Sequence, residues 1–330
     1  MRHSRLRHLA LSLFAALLLG ACHGRDSDSR PGGRTPEAAV QSSVNLLKAG
    51  NFTGFWQHAL PPADLATLRA EWQRHQQSQP AITAQERARF SAIMQQLTAP
   101  GAQARLYAEL QPKLTRTQQQ YQDQLPVLLK VGEALLKSRV VQNPQLTAAQ
   151  KAQVNSVLDV LEPWAQQAPW FDLARAKQAI GVTVATARTL ALQSPDQLRA
   201  MDFDTAMGKY AQGFAGLRQL LAIYGLSIDD ALDSVRLTQL SRGHGHAVVR
   251  IDYTLLGKPL STESSLIEQD GRWYSEDLLH NLRAAARTPA AAGNASAATA
   301  TVADAPGPLA GIPPAARSAS AKGRMAQPLE

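Results

Sequence analysis

The chain has 330 residues, a formal net charge of +8, 45% hydrophobic and 5% aromatic residues, and one cysteine. The basic residues are scattered rather than blocked, so the mild positive balance gives no stripe for nucleic acid. One thiol excludes an intramolecular disulfide and a multi-cysteine metal centre.

Arg2, Arg5 and Arg7 precede an apolar stretch that starts at Leu9 and closes on Leu19-Gly20-Ala21-Cys22. A basic start, an apolar middle and small residues at the end form the layout of an export signal. The ~13 apolar residues are fewer than the ~20 that a membrane-spanning helix needs. Leu19-Gly20-Ala21-Cys22 resembles the bacterial lipobox. That resemblance implies a signal peptide over 1–21, a diacylglyceryl group on the Cys22 thiol and membrane lipid as the anchor's partner. His23 stands where an Asp marks retention at the inner membrane, so the resemblance favours the outer membrane, facing the periplasm. Without the three signal arginines the charge is about +5. With Cys22 acylated, no thiol remains for catalysis. Several acyl chains hold a protein stably where one does so only marginally.

Residues 22–34 are polar and Gly-rich after the cysteine, with too little apolar surface to fold, and predict a flexible tether. A helical region follows over 35–232. Thr35-Pro36-Glu37 signals a helix start and Gly50 a stop. Thr83 with Glu86, Thr147 with Gln150, and Ser194-Pro195 with Gln197 read as caps. Three apolar stripes at i, i+3, i+4, i+7 predict core faces. They are Phe90, Ile93, Met94 and Leu97; Val154, Val157, Leu158 and Leu161; and Leu217, Leu220, Leu221 and Tyr224. Breaks are expected near Pro61-Pro62, Pro80, Pro100-Gly101, Asn143-Pro144, Pro163 to Pro169, and Pro195. Pro112 and Pro126 are expected to kink or restart a long helix.

From about 233 the period changes to two. Val249, Ile251, Tyr253 and Leu255 alternate with more polar neighbours, Gly257-Lys258-Pro259 reads as a turn, and Asp270-Gly271 as a tight hairpin turn. A four-stranded antiparallel meander over 234–276 is predicted, followed by a short helix over 276–286. Such a sheet needs helices to cover its apolar face. The fold class is therefore α+β, one domain over 35–283. Residues 284–330, rich in Ala, Pro and Gly, predict a disordered tail.

Two segments carry a second resemblance. Residues 35–56, with Leu47-Lys-Ala-Gly-Asn-Phe52, are similar to the first helix of nuclear-transport-factor-2-like (cystatin-like) domains. Residues 247–274, ending Asp270-Gly-Arg-Trp-Tyr274, are similar to their last strands. The departure is large, because roughly 180 residues separate the two matches. The resemblance implies a cone able to hold a small ligand and, in some relatives, isomerase-type chemistry on Asp and His. Its candidates here are His246, Asp252 and Glu263. The alternation itself places Asp252 toward solvent.

Gly243-His244-Gly245-His246 offers two imidazoles but no third metal ligand nearby. No cofactor fingerprint, His-Glu-x-x-His or Gly-x-Ser-x-Gly motif occurs. Trp164, Trp170 and Phe171 form either a packed knot or an exposed grip for a glycan or protein. The sequence thus predicts a lipid-anchored, periplasm-facing envelope protein with a non-enzymatic binding or structural role. The alternative is a small-ligand or isomerase-type cone.

Overall fold

A computed structural model describes residues 30–144 and 146–287; Cys22, the signal segment and residues 288–330 lie outside it. The fold is α+β. Helices α1 (Pro36–Lys48), α2 (Phe52–Ala59), α3 (Pro62–Ser78), α4 (Ala84–Thr98), α5 (Ala102–Tyr121) and α6 (Leu125–Gln142) come first. They are followed by α7 (Ala148–Gln167), α8 (Leu173–Leu190), α9 (Pro195–Ala200), α10 (Phe203–Ile223) and α11 (Ile228–Asp233). The sheet is β1 (Arg236–Gly243), β2 (His246–Leu255), β3 (Lys258–Gln269) and β4 (Arg272–Ser275), and α12 (Glu276–Arg287) follows it.

Local chemistry sets the helix ends. Thr35 Oγ1 accepts from the Ala38 amide, and both predicted Thr capping boxes form, each satisfying donors that a helix start leaves free. The Ser194 side chain makes no cap; instead Gln197 Oε1 accepts from the Gln193 amide at 2.7 Å. Pro112 and Pro163 lie inside α5 and α7, so the break expected from Pro163 falls after Gln167.

The strands run in the order β1-β2-β3-β4, all antiparallel. Each hairpin closes on two residues of positive φ: His244-Gly245, Leu256-Gly257 and Asp270-Gly271. This is the turn whose twist matches that of the paired strands. The middle turn therefore precedes the Gly257-Lys258-Pro259 expected from sequence, and Lys258 and Pro259 already belong to β3. The Gly243–His246 run is thus a tight turn between β1 and β2.

Ala247, Val249, Ile251, Tyr253 and Leu255 form the buried face of β2, as their alternation predicts. With Leu266 and Trp273 they pack against Ala39, Val40 and Val44 of α1, Ala231 and Leu232 of α11, and Val157 and Leu161 of α7. A second core joins Leu47, Phe55, Trp56, Phe203, Met207, Leu279 and Leu282. Four-residue β4 stands between them, with Trp273 in the first core and Tyr274 in the second. Arg283 clamps α12 to α3 through both carboxylate oxygens of Asp64, at 2.9 and 2.6 Å. The two segments that carry the second resemblance thus pack together, α1 lying against the sheet.

Residues 30–34, read from sequence as part of the tether, are fixed. Gly33 and Trp273 exchange backbone hydrogen bonds at 3.0 and 2.9 Å, adding a bridge at the open edge of β4. The Gly32 amide donates to the His58 carbonyl at 2.8 Å. Arg272 donates to the carbonyls of Arg30, Pro31 and Gly32. The part of the expected tether before Arg30 lies outside the described residues.

Not every predicted stripe is core. No residue of α4 is buried, and Ile93 is 46% exposed. Leu217 is also exposed. Val157 and Leu161 pack on the sheet core as expected. Helices α4 and α5 rest on α8, which rests on α10, so their stripes meet other helices only along one margin.

Gln153, buried on α7, bonds to the Tyr253 hydroxyl. Burial pushes that hydroxyl up to about 12 from its usual 10, against the opposing effect of the Gln153 bond. The neutral phenol is the form the fold prefers. Its contribution is complete below pH ~10, where the unfolded chain's tyrosine is also neutral, and is lost as pH rises toward ~12. Roughly 2–3 kcal/mol is expected to disappear across that window. Urea unfolding at stepped alkaline pH should show the decline, and Tyr253→Phe should flatten it. An equal slope in both proteins would remove Tyr253 as its cause.

Candidate functional site: an uncovered helix face beside a small cavity

The three polar candidates from sequence do not meet in a pocket. His246, Asp252 and Glu263 all sit on the outer face of the sheet, opposite the buried face of β2. His246 is exposed, with Nδ1 3.6 Å from Glu276 Oε2. Asp252 Oδ2 accepts from Arg250 Nε at 3.1 Å. Glu263 pairs in register with Arg250 and is exposed. These are solvated sheet-face charges. Among the described residues no group of three His, Cys, Asp or Glu could hold a metal ion. None of the described helices is long and apolar enough to cross a membrane.

A cavity does exist, elsewhere. About 100 Å³ lies between α1, α2 and the β3–β4 end of the sheet. Val40, Phe55, Leu266, Leu278 and Trp273 line it together with the polar residues Ser43, His58 and Ser264. Burial lowers the pKa of His58, partly offset by its bond to the Ala39 carbonyl, while the positive charge of Arg272 lowers it further. The imidazole is thus neutral at pH 7 and donates from Nε2 to Ala39 O at 3.1 Å. Trp273 Nε1 is buried with no acceptor among the described residues. The volume is small: ligand pockets run to ~300–1,000 Å³, and a ~150 Å³ cavity just holds benzene.

The tryptophans near Pro163 and Pro169 are a packed knot. Trp164 Nε1 donates to Tyr224 O at 2.8 Å and Trp170 Nε1 to Ala165 O at 2.7 Å. Their rings meet edge to face at 5.3 Å, and Trp170 lies 5.0 Å from Tyr224. Both indole donors are used, and the rings tie the end of α7 to the end of α10. Trp56 and Trp273 are core, and Trp72 packs at the edge of the second core.

The feature that packing does not explain is α6. Its sequence, Leu-Pro-Val-Leu-Leu-Lys-Val-Gly-Glu-Ala-Leu-Leu-Lys-Ser-Arg-Val-Val-Gln, is apolar around most of the helix. Such a helix belongs in a core, covered on all sides. Among the described residues its main packing partner is α7, and Val140 is its one buried residue. Val127, Leu128, Val131 and Leu135, each more than half exposed, fall within one ~100° arc on the far side. Leu136 and Val141 are exposed to either side of it. Monomers scatter single apolar residues over their surfaces, but contiguous patches mark interaction sites. Nothing in the sequence reading singled out 125–142. The signal was present as an apolar run that obeys no single-faced period.

Comparison with known proteins adds no relative: no family model, no curated protein and no solved structure matches the chain.

Proposed function

We propose that the chain is a lipid-anchored protein of the bacterial envelope, held through acylated Cys22 and facing the periplasm, most naturally at the outer membrane. Its work is to bind or support another component of the envelope rather than to catalyse a reaction. The observation that carries this reading is the exposed apolar face of α6 on a body whose cavity between α1, α2 and the sheet is only about 100 Å³ and whose larger hollow, about 400 Å³ beside Met201 and Lys209, is an open surface groove. A binding module presents such a face, whereas an enzyme or carrier needs a deeper enclosed pocket with convergent polar groups. The fixed segment 30–34 supports the anchoring half, because it leaves a short leash that keeps the body close to the bilayer.

A second reading draws on Trp273. Trp273 and His58 both border the cavity, and an indole donor without an acceptor among the described residues favours a small acceptor-bearing guest, in line with the cone that the cystatin-like resemblance implies. It would be a minor guest at this volume.

The anchor is tested by Cys22→Ser. The variant is expected to leave the membrane fraction and to accumulate as an uncut precursor. Normal cutting with unchanged membrane fractionation would contradict the anchor and leave the α6 reading untouched.

A further inference from the structure

We infer that residues 30–34 form an acid-releasable strap: charging the His58 imidazole loosens this segment from α1, α2 and β4. The inference stands apart from the reading of α6 and draws only on how the segment is docked.

The docking geometry comes first. The strap is Arg-Pro-Gly-Gly-Arg, with almost no apolar surface of its own, and the bonds that place it run through its backbone. The Gly32 amide donates to the His58 carbonyl, and the His58 imidazole donates to Ala39 O. Ala39 is the residue whose backbone leaves Gly33 no room for a Cβ. A Cβ on Gly32 would fall 2.7 Å from Tyr274 Cζ and 2.9 Å from Arg272 Cβ. Arg272 in turn binds the carbonyls of Arg30, Pro31 and Gly32. His58 therefore meets the strap through its carbonyl and the strap's floor through its ring.

Charge comes second. Burial keeps the imidazole neutral at pH 7, opposed by the Ala39 bond and reinforced by the charge of Arg272. The surroundings offer an added proton no counter-charge. Helices α1 and α12 and strand β3 line the adjoining cavity with uncharged side chains, and no carboxylate borders it. On β4, Arg272 is already positive, and Tyr274, its hydroxyl pushed up by burial, stays neutral at acid pH. Helix α2 carries no other ionisable side chain, and the strap adds only the cations Arg30 and Arg34. Asp64 on α3 is held by both bonds from Arg283. An imidazolium would thus stand part-buried beside cations, a costly arrangement.

The element able to yield is the strap. Helices α1 and α2 and the sheet are fixed by the two cores, and the strap is not part of either. Lifting it admits water to the ring and takes from Arg272 the three carbonyls that hold it close. The docked state binds fewer protons at His58 than the undocked one, whose histidine titrates near its usual 6.5. Docking is therefore complete above pH ~7 and weakens as pH falls below ~6.5, by at most ~10-fold per pH unit for one proton. It levels off once the docked histidine is itself charged. In a chain held at Cys22, acid would add residues 30–34 to the tether.

Hydrogen exchange on the full chain in mild detergent, from pH ~7.5 to ~5 and corrected for the intrinsic rate, tests this. The opening equilibria of the Gly33 and Trp273 amides are expected to rise together, by ~3–10-fold per pH unit below ~6.5, while the β2 amides stay protected. His58→Gln keeps an N–H for Ala39 O and takes no proton, so its strap amides should show no rise. An undiminished rise in His58→Gln overturns the inference, as do flat strap amides in the unsubstituted protein. Strap and β2 amides that open together overturn it too, since that is acid unfolding of the whole body. The ring gives a check without a variant: the NMR titration midpoint of His58 should lie below ~6.5, and a midpoint at or above it overturns the inference.

Discussion

Trp273→Ala is expected to destabilise the folded body by about 3–5 kcal/mol, the range for removing a large aromatic from a core. Trp273 is 1% exposed and packs in the core that joins the sheet to α1. The Arg242 guanidinium stands 5.1 Å from its ring centroid. On a four-residue strand, few other side chains are available to hold β4 against α1. Trp273→Phe separates ring packing from the indole N–H. Because Nε1 has no acceptor among the described residues, the phenyl ring removes an unpaired donor whose burial costs ~1–3 kcal/mol. Phenylalanine is therefore expected to recover most of the stability that alanine loses. Urea unfolding with unchanged m-values would measure both. Equal losses in the two variants would mean that the indole N–H has a partner that matters.

Gly33→Ala is expected to release the segment ahead of α1, at a cost of about 2–3 kcal/mol, comparable to overpacking a filled core. A Cβ at Gly33 would fall 2.2 Å from the Ala39 nitrogen and 2.5 Å from its Cα. Those atoms belong to helix backbone and cannot swing aside. The chain must lift away from α1, and the paired bonds to Trp273 are lost with it. Hydrogen exchange at the amides of residue 33 and Trp273 should accelerate together, and the Arg34–Thr35 bond should become sensitive to trypsin. Gly243→Ala is the control, since a Cβ there meets nothing within 4 Å. Slow exchange in Gly33→Ala, matching the unsubstituted protein, would show that the docked segment tolerates the side chain. In the proposed anchored state, its release would lengthen the leash from Cys22 by several residues.

The sheet was readable because its signals are local and periodic. Val249, Ile251, Tyr253 and Leu255 declare one face, and the same parity sends Asp252 to the other. His246 and Glu263 follow it there through their register with β3 and β2. Asp270-Gly271 names its own turn, but Leu256-Gly257 does not. A leucine at positive φ runs against the usual steric preference, so the reading shifted to the more orthodox Gly257-Lys258-Pro259. The Thr caps were legible because each is a bond between neighbours three residues apart. The docking of 30–34 was not, because its partners, Arg272 and Trp273, lie about 240 residues away. Glycine looks like slack in sequence, yet Gly33 is there because α1 leaves no room for a side chain.

Burial posed a different problem. An apolar stripe records that a helix face prefers cover, not that the chain supplies it. The stripe of α4 lies half exposed, and α6 shows no single stripe that periodicity could pick out. The same property makes α6 the strongest site candidate once its main neighbour among the described residues, α7, is seen. The sheet-face candidates were chosen for chemistry that the cone resemblance implies. Two residues that do border a cavity, His58 and Trp273, come from α2 and β4, which sequence spacing could not bring together.

The most direct measurement is site-specific photo-crosslinking in the native envelope, with the crosslinking residue placed at Val131 or, for comparison, at Glu263 on the outer sheet face. If the uncovered side of α6 is the working surface, Val131 should give discrete, reproducible protein adducts in the membrane fraction, and Glu263 should give none. Adducts at Glu263 with none at Val131 would contradict the account, as would a Val131 probe that reacts only with water.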